Sequence, residues 1–371
     1  MKILYHELIK FFKKIDFRFV VLILILQGIG LITLYSATHG AYSLNKFLFN
    51  RQILWLFSGW LVFFILYGID YSFLKKVAWP LYFIHIILLI FTLFFGEESQ
   101  KVKRWIDLGF FNYQPSEFLK FVLVLLVAHK LSFQEFKKIL SLGQLIEYGL
   151  FIALPVVLVA IQPDLGTAGI SILLLSTLIL FNGISKKSFI WIVAILCISI
   201  PFAWKLVLKP YQKNRITSFI HPEKDPRGTG YNIIQSKIAI GSGGLKGKGF
   251  SKGTQHQLQF LPERHTDFIF SVLSEEYGFL GSLGTLILFL LLIFLILSYA
   301  AQARNRFGCY LCLGSGMFLF WHILLNLAMT MGLFPVTGSP LPLMSYGGSH
   351  SLTAMAFLGL AASVNKQKDL F

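Results

Sequence analysis

Ten long apolar runs follow one another along the chain, and they restrict its fold more than any other feature. The runs cover approximately residues 18–38, 52–69, 77–95, 115–133, 148–162, 167–184, 188–208, 267–298, 308–331 and 351–365. A helix needs roughly 20 apolar residues to cross a bilayer. The chain is 56% hydrophobic and 13% charged, whereas soluble domains are about 25% charged. We therefore predict an all-α polytopic membrane protein with about ten transmembrane helices, forming a single domain over residues 1–371.

Basic residues are distributed unevenly over the connections between these runs. Most short connections on one side, and the C-terminal tail, carry basic pairs: Lys75 and Lys76, Lys137 and Lys138, Lys186 and Lys187, Arg304 and Arg306, Lys366 and Lys368. Connections 162–166 and 333–350 contain neither Lys nor Arg. Because cytoplasmic loops are enriched in Lys and Arg, we predict that both termini are cytoplasmic and that the number of crossings is even. Pro163 and Gly166 predict a turn that separates the fifth run from the sixth.

One large extracytoplasmic loop, about 209–266, is predicted between helices 7 and 8. It is rich in Lys and Arg although it lies outside, and long loops cross the membrane largely regardless of charge. Its charge therefore indicates contact with anionic lipid head groups or with an anionic substrate, and both interpretations stay open. We expect no nucleic-acid partner, because the basic residues of this +16 chain lie in loops between apolar runs. Residues 231–240 have the apolar spacing of a short amphipathic helix.

A glycine-rich run, 241–249, follows this predicted helix. It lacks the G-K-[ST] ending of a Walker A loop and is not a G-x-G-x-x-G motif after a strand. Two interpretations stay open. The run is either a flexible turn, or a site where backbone N–H groups, Lys246 and Lys248 meet a phosphate.

The segment 260–268 concentrates polar side chains directly before an apolar helix. Its ionisable members are Glu263, Arg264, His265 and Asp267. Thr266 or Asp267 could cap the helix, but a cap explains one residue and not four. Burial would raise the pKa of Asp267 and basic neighbours would lower it. We therefore predict a functional role for Asp267 at the outer mouth of this helix.

Other ionisable residues lie within the apolar runs. Glu117 and Lys120 are three positions apart near the start of the fourth run and share a helix face. Glu275 lies about two turns beyond Asp267 in the same run. Ionisable residues at membrane depth are costly and indicate function, although Glu117 and Lys120 could equally form a purely structural ion pair.

Three outer connections complete the candidate site. Arg104 lies in the connection before the fourth run, which we expect to be a loop that dips back toward the membrane. Asp164 lies in the 162–166 turn, where forming the turn is the plainer explanation. The proline- and glycine-rich segment 333–350 is expected to form a rigid, non-helical wall of a cavity, where irregular backbone is tolerated.

In these motifs the sequence resembles the SEDS (shape, elongation, division, sporulation) family of bacterial membrane proteins. The matching stretches are Arg104-Trp-Ile-Asp-Leu-Gly109, Gln114-Pro-Ser-Glu-Phe-Leu-Lys120, Gln162-Pro-Asp-Leu-Gly-Thr167, 230–241, 260–276 and 335–348. They span nearly the whole chain, in order. The form Pro262-Glu-Arg-His-Thr-Asp267 is similar to the elongation branch of the family, since the division branch typically has Ala at the position of Arg264.

The resemblance implies a peptidoglycan glycosyltransferase that polymerises lipid II on the outer face of the bacterial cytoplasmic membrane. It implies a catalytic aspartate at Asp267, which we interpret as an inverting general base. It also implies a class B penicillin-binding protein as partner, within the elongation complex. Our substrate-binding candidates are Arg104, Glu117, Lys120, Asp164, Arg215, Lys246, Lys248, Arg264, His265 and Glu275. A divalent cation (Mg or Mn) stays open, and no other cofactor is expected.

Three alternatives to an elongation polymerase are kept. The chain could flip lipid II between leaflets, which a charged path formed by Glu117 and Lys120 would suit. It could be a non-catalytic scaffold for a partner synthase. It could also be a polymerase of the division branch. The position of most charges toward the outer side favours polymerisation over transport.

Overall fold

The computed structural model describes residues 15–38, 46–99, 102–109, 111–134, 139–202, 205, 209–225 and 228–368. Within them the chain is mostly helical. Its α-helices are α1 (Phe17–Thr38), α2 (Lys46–Gly68), α3 (Leu74–Phe95), α4 (Pro115–Ser132), α5 (Leu142–Ile161), α6 (Leu165–Asn182), α7 (Lys186–Phe202), α8 (Pro210–Ile220), α9 (Thr229–Ser242), α10 (Thr254–Gln257), α11 (Ile269–Ala301), α12 (Arg306–Thr330) and α13 (Gly348–Lys366). Ten of these helices coincide with the ten apolar runs. Lys137 and Lys138 lie outside the described residues.

Seven of the described helices are long and apolar enough to cross a membrane: α1, α2, α3, α5, α6, α11 and α12. Helices α4, α7 and α13 also match apolar runs but do not qualify over their described residues. Helices α4 and α13 are buried among other helices along most of their length, so little of their surface needs to face lipid. Helix α7 is described over 17 residues, and the two residues that follow Phe202 lie outside the described residues. Ten crossings, cytoplasmic termini and an extracytoplasmic loop therefore stay predictions.

Helix α13 lies at the centre of the molecule, packed against α2, α12 and α4. Its backbone approaches α2 closely at Gly359, where a Cβ atom would lie 2.6 Å from the carbonyl oxygen of Phe63. Gly314 of α12 packs equally closely on the Val124 side chain of α4. Small residues allow such contacts between membrane helices. Large apolar side chains such as Phe57 and Phe94 point outward instead, as lipid-facing surfaces require.

The connection before α4 is not the loop that we expected. It forms a three-stranded antiparallel sheet of β1 (Glu97–Ser99), β2 (Val102–Asp107) and β3 (Asn112–Tyr113). Ile106 pairs with Tyr113 in the register of β2 and β3. The valine, tryptophan and isoleucine of β2 favour a strand, and the expectation of an irregular loop overlooked them.

The segment between α7 and α11 is folded where the structure describes it. Helix α9 confirms the predicted amphipathic helix. The glycine run after it packs on α11, where the helix is interrupted at Gly278 (φ +66°). The backbone N–H groups of Lys248 and Gly249 donate to the carbonyls of Glu275 (3.0 Å) and Glu276 (2.9 Å). These two N–H groups are therefore engaged within the protein.

Candidate active site

The backbone around Asp267 is fastened to the segment 333–347, which contains no helix. The last three residues of the predicted non-helical segment 333–350 instead begin α13. Ser345 Oγ donates to the carbonyl of Thr266 at 2.6 Å, and the Tyr346 N–H donates to the carbonyl of His265 at 2.9 Å. Asn326 of α12 donates through Nδ2 to the carbonyl of Asp267 at 2.8 Å. We call the end of the helix bundle formed by the described residues of 97–113, 162–166, 209–268 and 333–347 the loop end.

The Asp267 carboxylate has no structural task in the described part of the chain. Helix α11 begins at Ile269 after Phe268, without a side-chain cap, so Asp267 is not the capping residue. Its carboxylate accepts no hydrogen bond from any described residue. Burial raises the pKa of Asp267 to about 7, helped by the negative charges of Glu263 and Asp164 and opposed by Arg215. At neutral pH this carboxyl group is poised to bind or release a proton.

Asp164 is an acidic residue whose negative charge acts on Asp267. It caps α6, since its Oδ1 accepts from the Thr167 N–H at 3.2 Å, and its Oδ2 accepts from Gln114 Nε2 at 3.2 Å. Arg104 Nη1 is 3.9 Å from Asp164 Oδ1. The Arg104 guanidinium also donates to the carbonyls of Gln162 (2.9 Å) and Pro163. The turn-forming role of Asp164 is therefore real, and Arg104 fixes the turn against β2.

Arg215 of α8 approaches Asp267 from the long segment. Its Nη1 donates to the carbonyl of Val336 at 3.3 Å. A pocket of about 200 Å³ opens beside it. The pocket is lined by Pro163, Leu165, Gly166, Gln212, Arg215, Ile216, Phe334, Pro335, Val336 and Thr337. Gly338 then lies against the carboxylate, because a Cβ atom there would be 3.5 Å from Asp267 Oδ2.

Arg264 and His265, the basic residues that precede Asp267 in the sequence, do not contact its carboxylate in the described structure. Arg264 donates through Nε to the carbonyl of Ala37, at the end of α1, at 2.9 Å. The His265 ring packs edge-on to Tyr346 at 6.0 Å. Burial lowers the pKa of both side chains. Both residues hold the segment before α11 in place.

Glu117 and Lys120 form a buried cluster below the loop end. Lys120 Nζ lies 2.8 Å from Glu117 Oε1 and 3.0 Å from His322 Nε2. Glu117 Oε2 lies 2.8 Å from His350 Nδ1. Lys120 and His322 are fully buried, and the other two are 5% exposed. The predicted ion pair of Glu117 and Lys120 is confirmed, and His322 and His350 complete a cluster of four buried side chains.

Lys248 and Glu275 belong to another cluster. Lys248 Nζ lies 2.7 Å from Glu275 Oε1, which also accepts from the Thr254 N–H at 2.7 Å. The buried His256 ring lies between Glu275 (3.5 Å) and Glu276 (3.3 Å). Lys246 is exposed nearby. Both lysines lie on the glycine run that packs on α11, and substrate binding by Lys246, Lys248 and Glu275 stays a prediction.

The sequence interpretation missed several polar residues around these sites. His322 and Asn326 lie one turn apart on α12, and His256 lies in the short helix α10. Their polarity within or beside apolar runs was the available signal. No group of three or more His, Cys, Asp and Glu side chains is placed to hold a metal ion among the described residues. A divalent cation stays a prediction and would need ligands from the substrate.

The family model for FtsW, RodA and SpoVE, described as cell cycle proteins, matches residues 17–370. The chain belongs to the SEDS family. This confirms the resemblance drawn from the motifs.

Curated relatives within the SEDS family cover most of the chain. The peptidoglycan glycosyltransferase MrdB of Escherichia coli (strain K12) is 44% identical over 294 residues, 78% of each chain. The peptidoglycan glycosyltransferase RodA of Treponema pallidum is 33% identical over 428 residues, covering 95% of this chain and 98% of the relative. A probable peptidoglycan glycosyltransferase FtsW of Borreliella burgdorferi is 35% identical over 354 residues, covering 94% and 96%.

Solved structures agree with this assignment. A chain from a study of how a peptidoglycan synthase complex coordinates polymerization and crosslinking superposes with a TM-score of 0.82 at 28% identity, over 96% of this chain and 99% of that one. The crystal structure of Thermus thermophilus RodA superposes with a TM-score of 0.71 at 27% identity, over 96% and 98%.

Proposed function

We propose that Asp267 is the general base of a peptidoglycan glycosyltransferase that polymerises lipid II during cell elongation. The protein is a peptidoglycan glycosyltransferase, as its SEDS relatives are named. The observation that carries the role of Asp267 is its partly buried carboxylate with a pKa of about 7 and no structural task among the described residues. A base whose pKa lies near the working pH is the most effective.

In the proposed reaction, the 4-hydroxyl oxygen of the acceptor sugar attacks the anomeric carbon of the donor. The hydroxyl proton passes to the Asp267 carboxylate. The bond from the anomeric carbon to the pyrophosphate oxygen breaks, and undecaprenyl pyrophosphate leaves with the electron pair. A single displacement inverts the configuration of the donor sugar.

The leaving pyrophosphate needs cations where its negative charge develops. Arg104 and Arg215 fit this task best. Arg215 lines the pocket and its charge acts on Asp267, and Arg104 lies 3.9 Å from Asp164 at the same end of the bundle. Arg264 points to the end of α1 and Lys120 is fully buried beside Glu117, so we assign both to the support of the site. The apolar pocket wall around Arg215 suits the lipid end of a substrate that carries a pyrophosphate.

The setting of the reaction follows from the substrate. Lipid II has its sugars outside and its tail in the bilayer, so we place the loop end on the outer face of the bacterial cytoplasmic membrane. A class B penicillin-binding protein is the proposed partner. The structural neighbour from a complex that couples polymerization to crosslinking supports this partner. The MrdB and RodA relatives support the elongation role.

The test compares Asp267→Asn with the wild type, using purified protein, labelled lipid II and separation of the glycan products. Loss of a general base lowers the rate by about 10²–10⁴-fold, so we expect almost no polymer. Glu223→Gln, an exposed acid on the same long segment, should keep the wild-type rate. Polymerisation by Asp267→Asn at the wild-type rate would contradict the proposal. Lipid II flipping in vesicles without any polymer would favour transport.

A further inference from the structure

Three consecutive backbone carbonyls directly before α11 accept hydrogen bonds from other parts of the chain. They belong to residues 265–267, and their donors are the Tyr346 N–H, Ser345 Oγ and Asn326 Nδ2. Tyr346 and Ser345 lie in the segment 333–347, which we call the wall, whereas Asn326 comes from α12. The backbone before α11 is therefore held from two sides.

The amide of Asn326 joins the wall to the backbone of Asp267. Its Nδ2 lies 2.8 Å from the Asp267 carbonyl oxygen and 2.7 Å from the Ser339 carbonyl oxygen. A backbone carbonyl can only accept, so the amide nitrogen points toward both partners, and its two hydrogens match the two acceptors. Asn326 is fully buried, so bulk water does not compete for these bonds.

The contact with Ser339 sets which part of the wall lies against the Asp267 carboxylate. Gly338 directly precedes Ser339, and its φ of +71° is a conformation that favours glycine. A Cβ atom at Gly338 would lie 3.5 Å from Asp267 Oδ2. Glycine adds no side chain at this point, which keeps that side of the carboxylate accessible to an acceptor hydroxyl.

A polar side chain at this place in α12 is costly, which indicates that it has a task. Asn326 Oδ1 is buried without a hydrogen-bond partner among the described residues, and burying such an atom is unfavourable. The helix around it is apolar enough to cross a membrane. A leucine would avoid the cost, but it would leave the carbonyls of Asp267 and Ser339 without this donor.

We propose that Asn326 is a positioning residue for the reaction, because its amide holds Asp267 and the wall at the spacing that places the carboxylate on the acceptor hydroxyl. This role rests on the proposed function of Asp267 as the general base. A base has to lie within hydrogen-bond distance of the proton that it takes. A displacement of about 1 Å can lower the rate about 10²-fold. Asn326 acts through two carbonyls and does not touch the substrate.

The first variant is Asn326→Ala, which removes both donated hydrogen bonds. We expect kcat to fall about 10- to 100-fold. The KM for lipid II should be unchanged, because the cations that we assign to the pyrophosphate lie on α8 and β2. Asn326→Gln keeps the amide on a longer side chain, so its kcat should lie between those of the wild type and Asn326→Ala.

The matched control is Gln27→Ala, at another buried amide that bridges helices. Gln27 of α1 accepts from Trp60 Nε1 at 2.9 Å and donates to Met355 Sδ at 3.4 Å. These partners lie within α2 and α13, so the control removes a buried amide without removing a contact to the backbone of Asp267. It should lower the melting temperature and leave kcat and the pH–rate profile unchanged.

The pH–rate profile separates a positioning role from a structural one. Burial is the main cause that raises the pKa of Asp267, and the charged groups that act on it are Glu263, Arg215 and Asp164. Asn326→Ala changes none of these charges. If the amide holds the carboxylate in its buried position, its removal brings water to the carboxylate, and the midpoint of the profile moves to lower pH. A structural contact would lower the melting temperature and leave the midpoint in place.

Two results would overturn this role. One is a wild-type kcat in Asn326→Ala, or in Asn326→Gln if the alanine variant does not fold. The other is a loss of kcat with an unchanged midpoint that Gln27→Ala reproduces at the same melting temperature. Asp267→Asn is measured alongside. If it stays active, the proposed base is wrong, whereas an inactive Asp267→Asn with a normal Asn326→Ala rejects the positioning role alone.

Discussion

Asp267 combines partial burial with two acidic neighbours, and this combination gives the reaction a definite pH dependence. A general base must be ionised, so the rate should rise with pH through about 7, the pKa of Asp267, and be lost below it. Glu263 raises that pKa and Arg215 lowers it. Glu263→Gln should therefore move the midpoint of the pH–rate profile to lower pH. Arg215→Gln should move it to higher pH, in addition to weakening any contact with the pyrophosphate.

The measurement is initial polymerisation rate against pH at saturating lipid II, for the wild type and both variants. Opposite displacements are the signature of an electrostatic effect on one carboxyl group. If both profiles coincide with the wild type, a group other than Asp267 limits the rate.

The sequence predicted some of these residues and missed others for a physical reason. Glu117 and Lys120 are three positions apart, so helix geometry alone puts them on one face. His322 and His350 reach the same cluster from 202 and 233 positions away. Only the packing of α4, α12 and α13 brings them together, and no local period in one sequence encodes that packing.

At the scale of elements, the glycine run fits α11 through backbone contact, and one position tests that fit. Gly247 has φ +80°, and a Cβ atom there would lie 2.1 Å from the carbonyl of Glu276. Gly241 lies in α9 with nothing within 4 Å of its Cβ position. We expect Gly247→Ala to destabilise the protein by at least about 2 kcal/mol, since a left-handed conformation alone costs a side chain about 1–2 kcal/mol.

Gly241→Ala is the matched control, and alanine in a helix is favoured over glycine by about 0.5–1 kcal/mol. The measurement is thermal unfolding of the purified proteins in the same detergent. A melting temperature of Gly247→Ala equal to that of Gly241→Ala would mean that this packing is not tight in solution.

Elements with a long apolar period were the easiest to predict. Each of the ten apolar runs contains a helix over its described residues. The fifth and sixth runs are separated at 162–164, where Pro163 predicted a turn, whereas Gly166 lies in the first turn of α6. The sheet of β1, β2 and β3 was missed because its strands are short and strand preference depends on context. The contact of the glycine run with Gly278 was also missed, because it depends on the close approach of two backbones.

At the scale of the whole molecule, the number of crossings decides on which side each loop lies. Within the described part of the chain, seven helices qualify as spans by length and hydropathy, and α4, α7 and α13 do not. Burial among neighbours explains the polarity of α4 and α13, since a helix surrounded by protein need not be apolar on every face. We expect all three to cross, which places the loop before α7 inside and the segment 209–266 outside.

Two lysines distinguish ten crossings from seven. Lys186 precedes α7 and Lys246 lies on the exposed part of the glycine run. With ten crossings and a cytoplasmic N-terminus, Lys246→Cys reacts with a membrane-impermeant maleimide in intact cells and Lys186→Cys reacts only after permeabilisation. With seven crossings, both positions lie outside and both react in intact cells. Lys76→Cys is cytoplasmic in either case and serves as the control.

The background for this labelling needs Cys197, Cys309 and Cys312 replaced by alanine, because Cys197 is exposed. Retained polymerase activity shows that each labelled protein keeps its fold. Lys246 and Asp267 both lie in the connection between α7 and α11. Labelling of Lys246→Cys therefore also shows on which side of the membrane Asp267 lies. If Lys246→Cys is labelled from outside, Asp267 faces the leaflet where the sugars of lipid II lie. If it is protected in intact cells, the loop end faces the cytoplasm and the proposed setting of the reaction is wrong.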